Sequence, residues 1–160
     1  VFWASWCTSC VEEITALDML QKDFRKLPFK VLLISEDYRG LEETHKFLKQ
    51  QEIRYLEAFH DLKQQLFNAF GVSGLPAAFL IDEDGNKLLK FNGKVKWFDD
   101  KIRKRILENI KGDHPEPRNS FKDKSLNYQV KNMHKTITAK PKPNIATNSD
   151  QQKSESKNAK

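Results

Sequence analysis

Four apolar residues, Val1-Phe2-Trp3-Ala4, run straight into Ser5-Trp6-Cys7-Thr8-Ser9-Cys10, and beyond Cys10 the apolar positions change their period. That change constrains the fold more than any other feature of the chain. An unbroken apolar run suits a strand covered on both faces. Ile14, Leu17, Met19, Leu20 and Phe24 then keep helical spacing until Pro28, which cannot continue a helix. Strand followed by helix is the opening move.

The alternation continues. Residues 29–35 read as a second buried strand closed by polar Glu36-Asp37, and 41–51 as a helix with Phe47 and Leu48 inward. Residues 55–59 read as a short strand. Asp61 is placed to N-cap a helix running through Phe70, which Gly71 ends at a position suited to a left-handed C-cap. Residues 77–81 and 87–92 read as strands around Glu83-Asp84-Gly85-Asn86, where Asp-Gly is hairpin chemistry. A last amphipathic helix is expected over 97–110. Strands alternating with helices and ending in a hairpin predict an α/β fold, with a sheet parallel at first and antiparallel at one edge.

Beyond Gly112 the pattern stops. Residues 113–160 hold scattered apolar side chains among Lys, Ser, Asn, Gln and Pro, too few to offset about 1–2 kcal/mol of backbone entropy per ordered residue. The expected organisation is one domain over 1–112 and a disordered Lys-rich tail over 113–160. The chain carries a net charge of +6, but 1–112 holds 18 basic and 17 acidic residues against 10 and 5 in the tail. The part expected to fold therefore lacks a basic binding face for nucleic acid. The basic run Lys101-Ile102-Arg103-Lys104-Arg105 reads as a solvated helix face. The longest clean apolar run, Val31-Leu32-Leu33-Ile34, is far short of the roughly 20 residues of a membrane span. The chain also opens inside a strand pattern with no Met and no leader-like segment before it, so a missing front is expected.

The chemistry lies in the C-x-x-C at the strand–helix junction. With the helix starting near Cys7, positions i and i+3 share a face, and their Cα atoms come within the roughly 4.4–6.8 Å a disulfide needs. Cys7 then sits among the unpaired N–H groups of a helix N-terminus, where partial positive charge favours thiolate over thiol. That makes Cys7 the attacking sulfur and Cys10 the one that resolves a mixed disulfide. Zinc would need a second ligand pair, and His45, His60, His114 and His134 are too dispersed to give one. Haem attachment needs His where Val11 stands. Two inert core cysteines remain an open alternative on spacing alone.

Gly71-Val72-Ser73-Gly74-Leu75-Pro76 precedes the strand pattern Ala77-Ala78-Phe79-Leu80-Ile81-Asp82. Together with residues 1–10 it resembles the thioredoxin superfamily, specifically its TlpA/ResA-like branch of thiol-disulfide oxidoreductases, over residues 1 to about 111. The resemblance implies a thioredoxin-like three-layer α/β/α fold with a mixed sheet and a cis Pro76 beside the two sulfurs. It also implies substrate contacts at Trp6, Leu75 and Pro76, since a substrate strand pairs with the backbone before such a proline. Glu13, one turn after Cys10, would act as a base towards Cys10, although a solvated helix glutamate is the alternative. The implied activity is reduction of protein disulfides with no metal or organic cofactor, by a monomer fed by a thiol electron donor. The implied location is extracytoplasmic, in the periplasm or tethered outside, in settings such as cytochrome c maturation. Thr8-Ser9 replaces the proline-containing dipeptide common in the branch, Thr15 stands where a kinking proline is common, and Val1 replaces a buried acid or asparagine. A non-enzymatic thioredoxin-like binding module is the rival expectation.

Overall fold

The structure, a computed structural model, describes residues 1–111; the tail expected over 113–160 lies outside the described residues. Among these, five strands form one sheet in the order β3-β2-β1-β4-β5. The chain runs β1 (Phe2–Trp3), α1 (Thr8–Asp23), β2 (Leu32–Ser35), α2 (Leu41–Gln50), β3 (Glu57–His60), a 3₁₀ turn (Leu62–Gln64), α3 (Gln65–Ala69), β4 (Ala77–Ile81), β5 (Lys87–Asn92) and α4 (Asp100–Ile110). β1, β2 and β3 are parallel, with Trp3, Ser35 and His60 in register at their ends. β4 runs antiparallel to β1 and to β5. The sheet is therefore parallel on one side and antiparallel on the other, as the alternation predicts.

Strand geometry sends successive side chains to opposite faces. Trp3, Leu33, Ala58 and Ala78 pack with Ile14, Leu17 and Leu20 of α1, Leu48 of α2 and Ile106 of α4. Phe2, Ile34 and Ala77 pack on the other face with Phe70 and Val72, and Leu66 and Phe67 of α3 pack against them. The Phe2 ring meets Phe67, Phe70 and Phe79 at centroid distances of 6.2, 5.4 and 5.9 Å, within the range of favourable tilted and edge-to-face pairs. The result is three layers with β1 at the centre, which is why its two residues are apolar on both faces.

Several boundaries differ from the sequence expectation, each for a reason in the hydrogen bonds. β2 begins at Leu32 rather than Phe29 because the Gln21 side chain of α1 accepts from Val31 N and donates to Phe29 O. α1 ends at Asp23, with Leu27 N closing a turn onto Phe24 O at 2.9 Å. Asp18, also on α1, accepts from Arg54 N and Tyr55 N, which holds Tyr55 out of β3. The expected single helix after Asp61 is broken by left-handed Lys63 and Gln64. Asp61 accepts instead from Leu66 N and Phe67 N at 3.0 and 2.7 Å, so it caps α3 across the kink. Gly71, with φ +62°, completes a Schellman ending through Gly71 N to Asn68 O and Val72 N to Phe67 O. α4 starts at Asp100 under an Asp99 cap rather than at Trp97.

Leu33 is fully buried at the centre of the larger cluster. Leu33→Ala is expected to cost about 2–5 kcal/mol, read as a lowered urea midpoint at unchanged slope.

Candidate active site

Four residues join β1 to α1, and they determine where the sulfurs sit. Cys7 N donates to Ala4 O at 3.1 Å, and Cys7 O accepts from Cys10 N and Val11 N, both at 3.0 Å. Cys7 is thus the N-cap of α1, and its Sγ accepts from Cys10 N at 3.3 Å. Cys7 and Cys10 are joined as a disulfide with Cα atoms 5.2 Å apart, inside the interval expected from i, i+3 spacing. Cys10 is the deeper of the two, at 2% exposure against 8% for Cys7. The Cys10 N–H thus reaches the Cys7 sulfur, and partial positive charge at a helix N-terminus favours a thiolate there over a thiol.

The loop is anchored by a residue that carries no motif. The Asp37 carboxylate, just beyond β2, accepts from Ser5 N at 3.0 and 3.1 Å, from Ser5 Oγ at 2.8 Å and from Ser35 Oγ at 2.8 Å. Ser35 Oγ also lies 3.0 Å from Thr44 Oγ1, and His60 Nε2 donates to Asp37 O at 2.7 Å. Asp37 is buried at 4%, and a buried carboxylate is tolerated only when its oxygens are this well supplied with donors. The only local sign of it is the polar pair closing an apolar strand; Ser5 lies 32 residues away.

Two glutamates are held in contrasting ways. Glu13 is 3% exposed, not solvated. It accepts from Val95 N and, at 3.3 Å, from Trp97 Nε1. Burial pushes its carboxyl above the usual range, opposed by those two donors and by the Lys94 ammonium. Its neighbour Glu12 is exposed and paired with Lys94. Both oxygens of Glu36 are buried without a hydrogen-bond donor. Burial first, then the negative charges of Asp61 and Asp37, push its carboxyl up to about 7.

On the other side of β1, the Leu75–Pro76 peptide is cis, and Pro76 O accepts from Gly93 N at 2.8 Å. Pro76 is buried, Leu75 is half-buried against both apolar clusters, and Trp6 stands out at 62% exposure. β1 pairs directly with β4, so the cysteine loop and the Leu75-Pro76 loop leave adjacent strands at the same end of the sheet. Among the described residues no group of three or more His, Cys, Asp or Glu side chains could hold a metal ion.

The chain has counterparts of known family. The family model described as AhpC/TSA family matches residues 1–86. The chain belongs to the AhpC/TSA family. Within the thioredoxin superfamily it is a TlpA/ResA-like member. It is 26% identical over 93 residues to the thiol-disulfide oxidoreductase ResA of Bacillus thuringiensis subsp. konkukian, covering 58% of this chain and 53% of that one. ResA of Geobacillus thermodenitrificans is 30% identical over 95 residues, covering 59% and 49%. The chain thus spans about half the length of the curated relatives it matches. Among solved structures, a Chlorobium tepidum protein described as a candidate thiol:disulfide interchange protein DsbE superposes with a TM-score of 0.60 at 29% identity, covering 68% of this chain and 76% of that one. The exposed lipoprotein thioredoxin Etrx1 of Streptococcus pneumoniae shares the fold, with a TM-score of 0.56 at 22% identity over 69% and 80% of the two chains. The sheet and helices of this AhpC/TSA member are those of a thioredoxin-like fold.

A carboxyl with a higher pKa in the folded chain than in the unfolded one binds its proton more tightly when folded, so it favours folding at low pH and loses that contribution as pH rises. For Glu36 the loss runs from its ordinary 4.5 to about 7. Glu36→Gln, which cannot ionise, is expected to raise Tm clearly at pH 8 and little at pH 4. Equal shifts at both pH values would show that Glu36 does not titrate in this way.

Proposed function

We propose that this protein is a thiol-disulfide oxidoreductase that reduces disulfides of protein substrates through Cys7 and Cys10. The observation that carries the reading is the Cys7–Cys10 pair at the head of α1, with Cys7 as the N-cap. In the reduced protein the Cys7 thiolate attacks one sulfur of a substrate disulfide. A Cys7–substrate bond forms, the substrate S–S bond breaks, and the first substrate sulfur leaves as thiolate to be protonated. Cys10, as thiolate, then attacks Cys7 Sγ, closing the internal disulfide and releasing the second substrate sulfur. Two electrons pass from the Cys7–Cys10 dithiol to the substrate, and a thiol electron donor restores the dithiol. Electrons move from sulfur to sulfur, so the cycle as written calls on no metal or organic cofactor.

Glu13 is the base that takes the proton of Cys10. Its position one turn along the same helix, its burial and its raised carboxyl pKa support that role. Trp6, Leu75 and Pro76 are the substrate contacts, with the Leu75 backbone offered for strand-like pairing. An extracytoplasmic site of action, the periplasm or an outward-facing tether, accords with the ResA-like resemblance, as does a place in cytochrome c maturation. No helix among the described residues is long and apolar enough to cross a membrane.

Cys7→Ser is expected to bring insulin reduction, with a dithiol supplied, to the uncatalysed rate. Cys10→Ser should accumulate a mixed disulfide on Cys7, visible as a mass increase that a reductant removes. A Cys10→Ser protein that never traps a partner would overturn the assignment of roles. Glu13→Gln is expected to slow release from the mixed disulfide by at least about tenfold at pH 7 and to remove its pH dependence, since a positioned base contributes on the order of 10²–10⁴. An unaltered pH profile would leave Glu13 with a structural role only.

A further inference from the structure

Among the described residues, the large apolar side chains exposed by more than half are Trp6 at 62%, Tyr38 at 81%, Leu62 at 67% and Phe98 at 56%. All four leave the same end of the sheet. Trp6, Tyr38 and Leu62 follow Trp3, Ser35 and His60, the residues at which β1, β2 and β3 end in register. Phe98 follows β5, whose last residue Asn92 pairs with Ala77, the first of β4 and the partner of Phe2. Scattered exposed apolar residues need no explanation, but a row confined to the edge that carries a reactive disulfide does.

The backbone under this row is fixed. Asp37 holds Ser5 on one side of Tyr38, and His60 Nε2 binds Asp37 O. Asp61, just before Leu62, is committed to capping α3. Tyr38 and Leu62 are thus exposed residues, each directly preceded by a buried, hydrogen-bonded acid, Asp37 and Asp61. Tyr38 and Leu62 are each followed by an exposed cation, Arg39 and Lys63. Arg39 lies 5.7 Å from the Tyr38 ring centroid, and neither cation has an ion-pair partner among the described residues. The adjacent acids Asp37 and Asp61 are buried at 4% and 6%, and the exposed Glu42 and Glu43 in the first turn of α2 are both paired with Lys46, so the cations nearest the two apolar side chains are the unpaired Arg39 and Lys63.

We propose that Tyr38 and Leu62 form a substrate-selecting ledge that extends from Cys7 over the ends of β2 and β3. It receives a polypeptide segment with an apolar and an acidic side chain close to the cysteine under attack. The inference rests on the exchange reaction proposed above and adds what that reaction selects. Two strand spacings separate β1 from β3, about 10 Å, which an extended peptide covers in about three residues. The recognised side chains therefore lie within about four positions of the substrate cysteine, on the side of Cys7 opposite Leu75 and Pro76. The occupant follows from continuity: a disulfide that reaches Cys7 brings its flanking chain over the adjoining strand ends, and apolar groups edged with cations favour an apolar segment edged with acids.

The test is a competition between two peptide disulfides of equal length, one with Leu and Glu within four residues of the cysteine and the other with Ser and Lys there. Both compete for the same folded protein, so the ratio of their reduction rates is unaffected by any partial loss of folding in a variant. The wild-type protein is expected to prefer the Leu/Glu peptide by about tenfold, equivalent to about 1.4 kcal/mol, and the Tyr38→Ser/Leu62→Ser double variant by no more than about twofold. An equal ratio in wild type and variant overturns the ledge while leaving the exchange reaction standing. Reduction of neither peptide by the wild-type dithiol form overturns the reaction itself and the ledge with it.

Discussion

The Asp37 carboxylate is the interaction on which the site depends. The chain must leave β1 at Trp3 and enter α1 at Thr8, and the segment between them has little regular hydrogen bonding to hold it: Cys7 N is taken by Ala4 O. Ser5 gives both its donors to Asp37, which is held in turn by Ser35 at the end of the neighbouring strand. A buried acid is an expensive anchor, because taking away its donors would leave an unpaired charge out of water. That cost makes the arrangement specific, since no other seat in the loop would supply a serine N–H and two hydroxyls. Cys7 inherits its place from this anchor, and Cys10 follows from one turn of helix.

The parts of this arrangement that could be read from the sequence are the local ones. Cys7 and Cys10 announce the strand–helix junction, Gly71 announces its helix end, and Asp84-Gly85 announces the hairpin, because in each case the physical cause lies within a few residues. Long-range partnerships were not legible. Gln21 displaces the start of β2, Asp18 displaces that of β3, and Asp61 reaches past a kink to α3. In all three a side chain takes over backbone groups that periodicity assigns to a ladder or a continuous helix. Glu13 was legible as a candidate from its spacing to Cys10. Its partners Val95 and Trp97 lie 82 and 84 residues away, and Trp97 is spent on that contact rather than on opening α4.

Two buried glutamate carboxyls lie on opposite faces of the sheet, and their surroundings make different use of the same functional group. Alternation along β2 turns Ser35 towards Thr44 of α2 and Glu36 towards the α3 face, where Asp61 sits. Glu36 meets the charges of Asp61 and Asp37 and no donor, so burial of its carboxyl favours the protonated state. Glu13 has a backbone donor, an indole donor and the Lys94 ammonium nearby, so burial raises its affinity for a proton without committing it to hold one. A carboxyl balanced in that way meets what the base proposed for Cys10 requires. Glu36, surrounded by like charge, suits a role in stability more than in exchange.

The division between rigid and exposed parts follows from the same topology. The parallel run of β1, β2 and β3 brings the loops after them to one end of the sheet, so Cys7, Tyr38 and Leu62 share that end although 55 residues of chain separate the first from the last. Buried carboxylates at Asp37 and Asp61 fix the loop roots, and the tips are free to carry side chains that contribute nothing to the core. At 81% exposure Tyr38 gives little of its ring to the core. On the ledge proposed above, a side chain of that size gains its contact area only when another chain is present. The fold thus separates what holds the sulfurs in place from what can choose the chain they meet.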